Sequence, residues 1–393
     1  MTLAVEAGEH ALQACGAGPA AIGALAVIAP RPLAVSTVAE ALGIAAARAK
    51  AFTGTDSGAA LNSCLDHVKA EDTRTLCIAV GVPEGPPSDL AEHGLGAGAV
   101  AAVCGPKGLV REQVAHLTAE TLGTDRGEEM VSEVLDRLAV KEAAHVFAPE
   151  AAPGSHRSLE KRFGKAVHGG LSWFTGDLGA ASALASLAAA GSRFAATESV
   201  LLITRSSHSA TAVHLTAEGP LPGAGEVLAS MKSGRRYIPY DLHLRGRLLQ
   251  SGAEPSQGAY VSPVAYLAEL PARYRLVGEE CRACGTLHFP PRETCSKCGS
   301  REFRERPLKR TGEVFTYTVI GRGAAPSEFA EQQAVWGEYA TAVISLDDGP
   351  RLTAMLTDVD PKRVSVGMRV EMAFRRLYTQ ERLPRYGFKF RPE

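Results

Sequence analysis

The chain has 393 residues and is 45% hydrophobic, long enough for two or three domains with cores of their own. With 42 Lys+Arg against 43 Asp+Glu the net charge is -1, which excludes a molecule committed as a whole to nucleic acid or to an anionic membrane surface. No uncharged run of about 18 or more apolar residues reads as a membrane span, and no basic start followed by an apolar run and a cleavage site reads as a leader, so a cytoplasmic protein is expected.

Taken in chain order, the first 215 or so residues alternate helical and strand-like patterns. Thr2–Cys15 reads as a helix and Ala24–Ile28 as a short buried strand, with further helices at Ser36–Ala49 and Ser57–Lys69. Strand-like runs follow at Thr75–Gly81 and Ala97–Gly105, then a helix at Glu128–Val140 and a strand at His145–Phe147. An Ala-rich helix at Leu178–Ala190 precedes strands at Val200–Thr204 and Ala210–Leu215. Continuous apolar strands interleaved with helices predict a layered α/β domain over 1–218. Residues 219–262, rich in Gly, Pro, Ser and Arg, read as a linker carrying the Tyr/Arg-rich segment RRYIPYDLHLRGRLL. A short helix, SPVAYLAEL, opens a module at 263–305. From 306 to 393 the runs GEVFTYTVIGRG, YATAVISLDDG, RLTAMLTDV and MRVEMAFRRLY, broken by Gly/Asp turns, predict a small β-barrel. From Pro271 onward there are 21 Lys+Arg against 16 Asp+Glu, a mildly basic balance that suits either an anionic ligand or an ordinary solvated surface.

The most specific signal is CRACGTLHFPPRETCSKCG, in which Cys281, Cys284, Cys295 and Cys298 form two CxxC knuckles separated by ten residues. Each knuckle sets two thiolates on a tight turn and is followed by a glycine, Gly285 or Gly299. Four thiolates complete a tetrahedral shell, so the expectation is a structural zinc ion with no open position for catalysis. His288, between the knuckles, is expected at the surface. The other cysteines, Cys15, Cys64, Cys77 and Cys104, sit in Ala/Val/Leu-rich stretches and read as small buried apolar residues.

A ribbon of this kind leading into a small barrel resembles the acyl-CoA-associated family that joins a rubredoxin-like zinc ribbon to an OB-fold. The resemblance runs over roughly Ser262 to Glu393 and is carried by the preceding helix, LHFPPRETCSKCG, GEVFTYTVI and RYGFKFRP. It implies a module that accompanies thiolases, hydroxymethylglutaryl-CoA synthases and related enzymes, bridging subunits and helping to hold CoA. Because OB-folds also bind single-stranded nucleic acid, Phe315, Tyr317 and Tyr378 keep a nucleic-acid reading open as the last-ranked alternative.

The N-terminal half resembles the thiolase superfamily, in its hydroxymethylglutaryl-CoA synthase and ketoacyl synthase III branch. The matching stretches are TLAVEAGEHAL, IGALAVIAPRPLAVSTVAEALG, FTGTDSGAAL, HGLGAGAVAAVCG, FTGDLGAASALASL and RRYIPYDLHLRG, in that order. The run GLGAGA at Gly94 fits no dinucleotide-binding frame. In this branch a low-pKa cysteine, a histidine and an asparagine carry the chemistry. Here the corresponding positions hold Thr55, Ala148 or Pro149, and Asp177, and Ala29-Pro30-Arg31 stands where the synthases place a glutamate. The resemblance also starts near Thr2, so about 50 residues of the usual first strand and helix are expected to be missing, leaving apolar sheet surface for a partner to cover. No catalytic residue is therefore assigned. Cys64 is expected in the core, and His67, His93, His116, His168 and His208 on the surface, with an Asp177–His168–His208 acid/base group as the minority reading.

Together these features predict an accessory subunit that packs against an active thiolase or synthase chain acting on acyl-CoA or acyl carrier protein substrates. The alternatives are a homodimer through the thiolase-like domain and a stand-alone acyltransferase or carbon–carbon bond-forming enzyme that uses Thr55 or a displaced residue.

Overall fold

A computed structural model describes residues 1–45, 48–54, 57–71, 73–82, 98–104, 109–118, 127–149, 153–169, 171, 175, 178–206, 209–232, 262–380 and 383–393. The chain divides into two compact units, Leu3–Tyr237 and Ile238–Glu393.

Among the described residues, the first unit is built on two sheets. Strands β1 (Ala24–Ala29), β2 (Ala49–Thr53), β3 (Thr75–Gly81) and β4 (Gly98–Cys104) form one in the order β2-β1-β3-β4. Here β1 runs parallel to both β2 and β3, and β4 is antiparallel to β3. The second sheet contains β5 (Leu109–Thr118), β6 (His145–Phe147), β7 (Val167–His168), β8 (Ser199–Arg205) and β9 (Ser209–Ala217), ordered β5-β9-β8-β6-β7.

Helices α1 (Thr2–Ala14), α2 (Val35–Leu42), α3 (Ser57–Glu71), α4 (Gly127–Leu138), α5 (Pro153–Phe163), α6 (Ser182–Ala190) and α7 (Ala224–Lys232) pack around these sheets. Side-chain alternation along the strands shows the layering. On β3, Cys77 and Ala79 face Ala60 and Cys64 of α3 and Leu184 and Ala185 of α6. Ile78, one residue out of phase, lies on the opposite face against Gly8 of α1, which also meets Leu42 of α2. On β8, Val200 and Leu202 face Leu61 of α3 and Ala183 and Leu187 of α6. Leu201 and Ile203 face Val134 and Leu135 of α4 and Leu159 of α5. The helices α3 and α6 thus fill the space between two sheets, α1 and α2 cover the outer face of the first sheet, α4 and α5 that of the second, and α7 packs beside α6. This is the layered α/β architecture expected, and Ala224–Lys232, expected within a linker, instead forms α7 of this unit.

A helix between two sheets must be apolar on both sides, and α6 reads SALASLAAA, with eight of nine residues buried. Small residues permit the close approach. A Cβ on Gly58, in the first turn of α3, would lie 1.7 Å from Thr204 Oγ1 on β8. Two expectations are corrected here. The helix predicted over Ser36–Ala49 stops at Leu42, where Gly43 takes a left-handed φ of 72°, and Ala49 begins β2 instead. The edge strand β5 (LVREQVAHLT) lacks a clean apolar alternation and was not expected.

In the second unit α8 (Pro263–Ala268) and α9 (Leu270–Arg275) lead into two small sheets. The first is β11-β10-β12, from β10 (Val277–Cys281), β11 (Leu287–His288) and β12 (Phe303–Pro307). The second is β15-β14-β13-β16-β17, from β13 (Thr311–Ile320), β14 (Tyr339–Leu346), β15 (Arg351–Met355), β16 (Arg369–Gln380) and β17 (Leu383–Pro392). Thr357 N–H donates to Phe390 O at 2.8 Å beside a Leu356–Phe390 bridge, which brings the two ends of this sheet together as a near-closed barrel. Leu276, Ile344, Val370 and Phe390 fill it. A further helix, α10 (Ala330–Trp336), lies beside it. Tyr266 of α8 is tied to β17, its hydroxyl donating to Tyr386 O at 2.8 Å and accepting from Tyr386 N at 2.9 Å.

Candidate metal centre

The ribbon cysteines converge as their spacing implies. The Sγ atoms of Cys281, Cys284, Cys295 and Cys298 all lie within 4.8 Å of one another. Two edges of the cluster are 3.6 Å (Cys281–Cys298) and 3.7 Å (Cys284–Cys295). Sulfurs about 2.3 Å from a common tetrahedral centre are about 3.8 Å apart, so the donor set is the size of a zinc shell. The two knuckles are near copies. Gly285 N–H donates to Cys281 O at 2.8 Å and Gly299 N–H to Cys295 O at 2.9 Å. The two glycines have φ values of 70° and 75°, which side-chain-bearing residues rarely adopt.

The surroundings favour thiolates at Cys281 and Cys284. At Cys298 the Ser300 amide is outweighed by hydrogen bonds with Cys284 and Cys281, which push the thiol up to about 12. The Thr286 hydroxyl and amide hold the Cys284 thiol down at about 6. Cys281 is also lowered: burial works against it, but the Cys284 and Ala283 amides outweigh that cost. His288 corrects the sequence expectation, for it is buried rather than on the surface. Its Nε2 sits 3.3 Å from Cys295 Sγ and its ring stands edge-on to Phe303. It supports a metal-binding sulfur without being one of the four donors. Its place on β11, paired with Glu279 of β10, turns it inward, which the sequence alone does not reveal.

The positions that the thiolase resemblance marks are placed unevenly. Thr55 and Asp177 lie outside the described residues, as do Gly176, His93, His208 and the first four residues of the GLGAGA run, whose last two begin β4. Ala148 follows β6 and packs in the outer cluster with Val146 and Leu201, away from α3 and α6. His116 Nδ1 lies 2.8 Å from Thr211 Oγ1. His67 is half-buried, with its ring 5.8 Å from that of Phe52. His168 is neither a plain surface residue nor part of a described acid/base pair with Asp177: its Nε2 is 2.8 Å from His145 Nδ1, and His145 Nε2 is 3.0 Å from Glu198 Oε2. Burial, then the charges of His145 and Arg193, lowers the His168 pKa. His145 lies on β6, His168 on β7 and Glu198 just before β8, so no local motif announces this set of contacts.

The other cysteines also depart from a scattered buried set. Cys15 is exposed and Cys104 half-buried. Cys64, Cys77 and Cys104 meet between α3, β3 and β4.

Comparison with known proteins bears on the second unit. Residues 268–304 match the ChsH2 rubredoxin-like zinc ribbon domain, and 305–375 the ChsH2 C-terminal OB-fold domain. A DUF35 domain-containing scaffold protein of Methanocaldococcus jannaschii is 41% identical over 123 residues, which is 83% of that protein and 30% of this chain. The chain belongs to the DUF35-domain family. Another relative, the benzoylsuccinyl-CoA thiolase subunit BbsA of Geobacter metallireducens, is 31% identical over 117 residues, 73% of its length and 30% of this chain. Among solved structures, 3-oxoacyl-(acyl carrier protein) synthase III of Pseudomonas aeruginosa aligns with 56% of this chain and 84% of its own, at 18% identity and a TM-score of 0.44. Among the described residues no helix is long and apolar enough to cross a membrane.

Proposed function

We propose that this protein is an accessory subunit of a thiolase or acyltransferase complex acting on acyl-CoA or carrier-bound acyl substrates. The ribbon and barrel bridge subunits and help to hold CoA, and the layered domain packs against an active thiolase or synthase chain. The observation that carries this reading is a four-thiolate ribbon and near-closed barrel of a family with scaffold proteins, joined to a layered domain in which the thiolase resemblance sets Thr55 at the position of a nucleophilic cysteine.

Two further features support it. The barrel and α10 leave large apolar side chains in solvent, with Phe315 46%, Tyr317 39% and Trp336 53% exposed, as a partner surface requires. A relative of similar second-unit sequence is named as a thiolase subunit. Zinc held by four thiolates suits the reducing cytoplasm.

The reading is tested by purifying the full chain alone and with candidate thiolases, then incubating each with acetyl-CoA. A stable complex, with acylation confined to the partner, is expected. Acylation and full turnover by this chain alone would overturn the proposal in favour of a stand-alone acyltransferase, and loss of that activity in Thr55→Ala would assign it to Thr55. Salt-sensitive binding of single-stranded oligonucleotides, without any partner, would favour the nucleic-acid reading instead.

A further inference from the structure

Cys64, Cys77 and Cys104 come from three elements, and no pattern in the sequence links them. Cys64 is in the middle of α3, Cys77 at the centre of β3 and Cys104 at the end of β4. The fold strings their sulfurs on Cys77, with Cys64 Sγ 2.8 Å away and Cys104 Sγ 3.5 Å away. Among the described residues, the ribbon cysteines are the group of three or more donors that could hold a metal ion, and these three thiols are not such a group. Exposure is graded along the string. Cys64 and Cys77 are 0% and 2% exposed, among Ala60, Ala79 and Leu184, whereas Cys104 is half-buried.

We propose that these three thiols form a relay that carries oxidation by a peroxide from the half-buried Cys104 through Cys77 to a buried Cys64–Cys77 disulfide. The chemistry balances in three steps. The Cys104 thiolate attacks one oxygen of hydrogen peroxide, giving a Cys104 sulfenic acid and hydroxide. Cys77 sulfur then attacks the sulfenic sulfur; its proton and the departing hydroxide leave as water, and a Cys77–Cys104 disulfide forms. Cys64 thiolate attacks the Cys77 sulfur and expels Cys104 as thiolate, an exchange that neither gains nor loses electrons. Overall, two thiols give up two electrons and two protons, and one peroxide becomes two waters.

The geometry sets this order. A peroxide meets Cys104 before the enclosed pair. Cys77, the one sulfur in contact with both others, serves as resolving thiol first and as the exchange centre second. Hydrogen bonding with Cys77 also holds the Cys104 thiol below its ordinary range, whereas the contacts from Cys104 and Cys64, with burial, hold Cys77 well above it. Cys77 and Cys104 are diagonal across the β3–β4 pair, since Cys77 is opposite Ala102 and Cys104 opposite Thr75. A disulfide there spans a longer backbone separation than a facing pair allows, which favours its passage to Cys64. The final bond would staple α3, which touches both sheets, to β3. This inference is independent of the assembly reading.

The test uses the full-length, zinc-loaded Cys15→Ala protein, so that the exposed cysteine cannot form intermolecular links. It is treated with hydrogen peroxide, quenched with a thiol-blocking reagent and mapped as non-reduced peptides over time. The expected result is a Cys77–Cys104 link that rises first and gives way to a Cys64–Cys77 link, both removed by dithiothreitol. Cys104→Ala should slow the Cys64–Cys77 link about tenfold or more, and Cys64→Ala should hold the product at Cys77–Cys104. Circular dichroism of the reduced variants checks that they fold. The proposal is overturned if all three thiols remain blockable while peroxide oxidises the ribbon. It is equally overturned if the Cys64–Cys77 link appears before any Cys77–Cys104 link in the protein with all three cysteines.

Discussion

At the scale of single residues, the ribbon offers a four-thiolate donor set of the size zinc takes, and such a metal would pin this lobe. A structural zinc contributes on the order of 10 kcal/mol to a small module, as much as the net stability of many domains. The weaker contact of His288 with Cys295 then tunes that site rather than making it. His288→Phe keeps the bulk and the edge-on packing against Phe303 but removes the ring nitrogen beside Cys295. Zinc affinity is expected to fall about 10- to 100-fold, measured by chelator competition. An unchanged affinity would show that the contact is packing alone.

Lys389 is the other residue with a clear consequence. It is 6% exposed and donates to Gln332 Oε1 at 2.8 Å. Burial, and then Arg375 and Arg376, push its pKa down to about 8. A base depressed in the folded state makes the unfolded chain the better proton binder between the two pKa values. The cost of holding the buried ammonium is therefore full below about pH 8 and is relieved as pH rises towards the ordinary lysine range. Lys389→Met is expected to raise the denaturation midpoint of the second unit at pH 7 and to raise it less at pH 10. A gain that does not shrink with pH would rule this out.

At the scale of elements, the first unit depends on helices narrow enough to lie between two sheets. Eight buried residues in α6 and Gly58 in α3 serve that need. Gly58→Ala places a methyl group 1.7 Å from Thr204 Oγ1, and the β-branched Thr204 has little rotamer freedom with which to yield. A loss of about 1–3 kcal/mol is expected in urea unfolding of the first unit, with zinc content unchanged. If stability is unaffected, α3 has room to move that the packing does not show.

At the scale of the whole molecule, the second unit puts a rigid ribbon beside a barrel with exposed aromatic side chains, and it is tied together by the Tyr266–Tyr386 hydrogen bonds. The assembly proposal predicts that Cys281→Ser, which opens the thiolate shell, abolishes co-purification with a thiolase partner. It should leave the unfolding transition of the first unit in place. Retention of zinc, fold and complex by that variant would refute the link between ribbon and assembly.

By itself the sequence determined the features that are local or periodic. The four ribbon cysteines were legible because two CxxC turns place their donors within a few residues, and β3 was found at its observed limits because a buried strand is a continuous apolar run. The layered order followed from the same patterns. Edge strands β2 and β5 escaped because one open side relaxes the apolar requirement, and the end of α2 depended on the left-handed turn at Gly43. Tertiary structure alone decided which distant side chains meet. It turned His288 inward, linked His168 to His145 and Glu198, and brought Cys64, Cys77 and Cys104 together. These contacts join residues on separate strands and helices. They exist only once the hydrophobic layers have fixed how the sheets and helices stack, and no spacing along the chain encodes that.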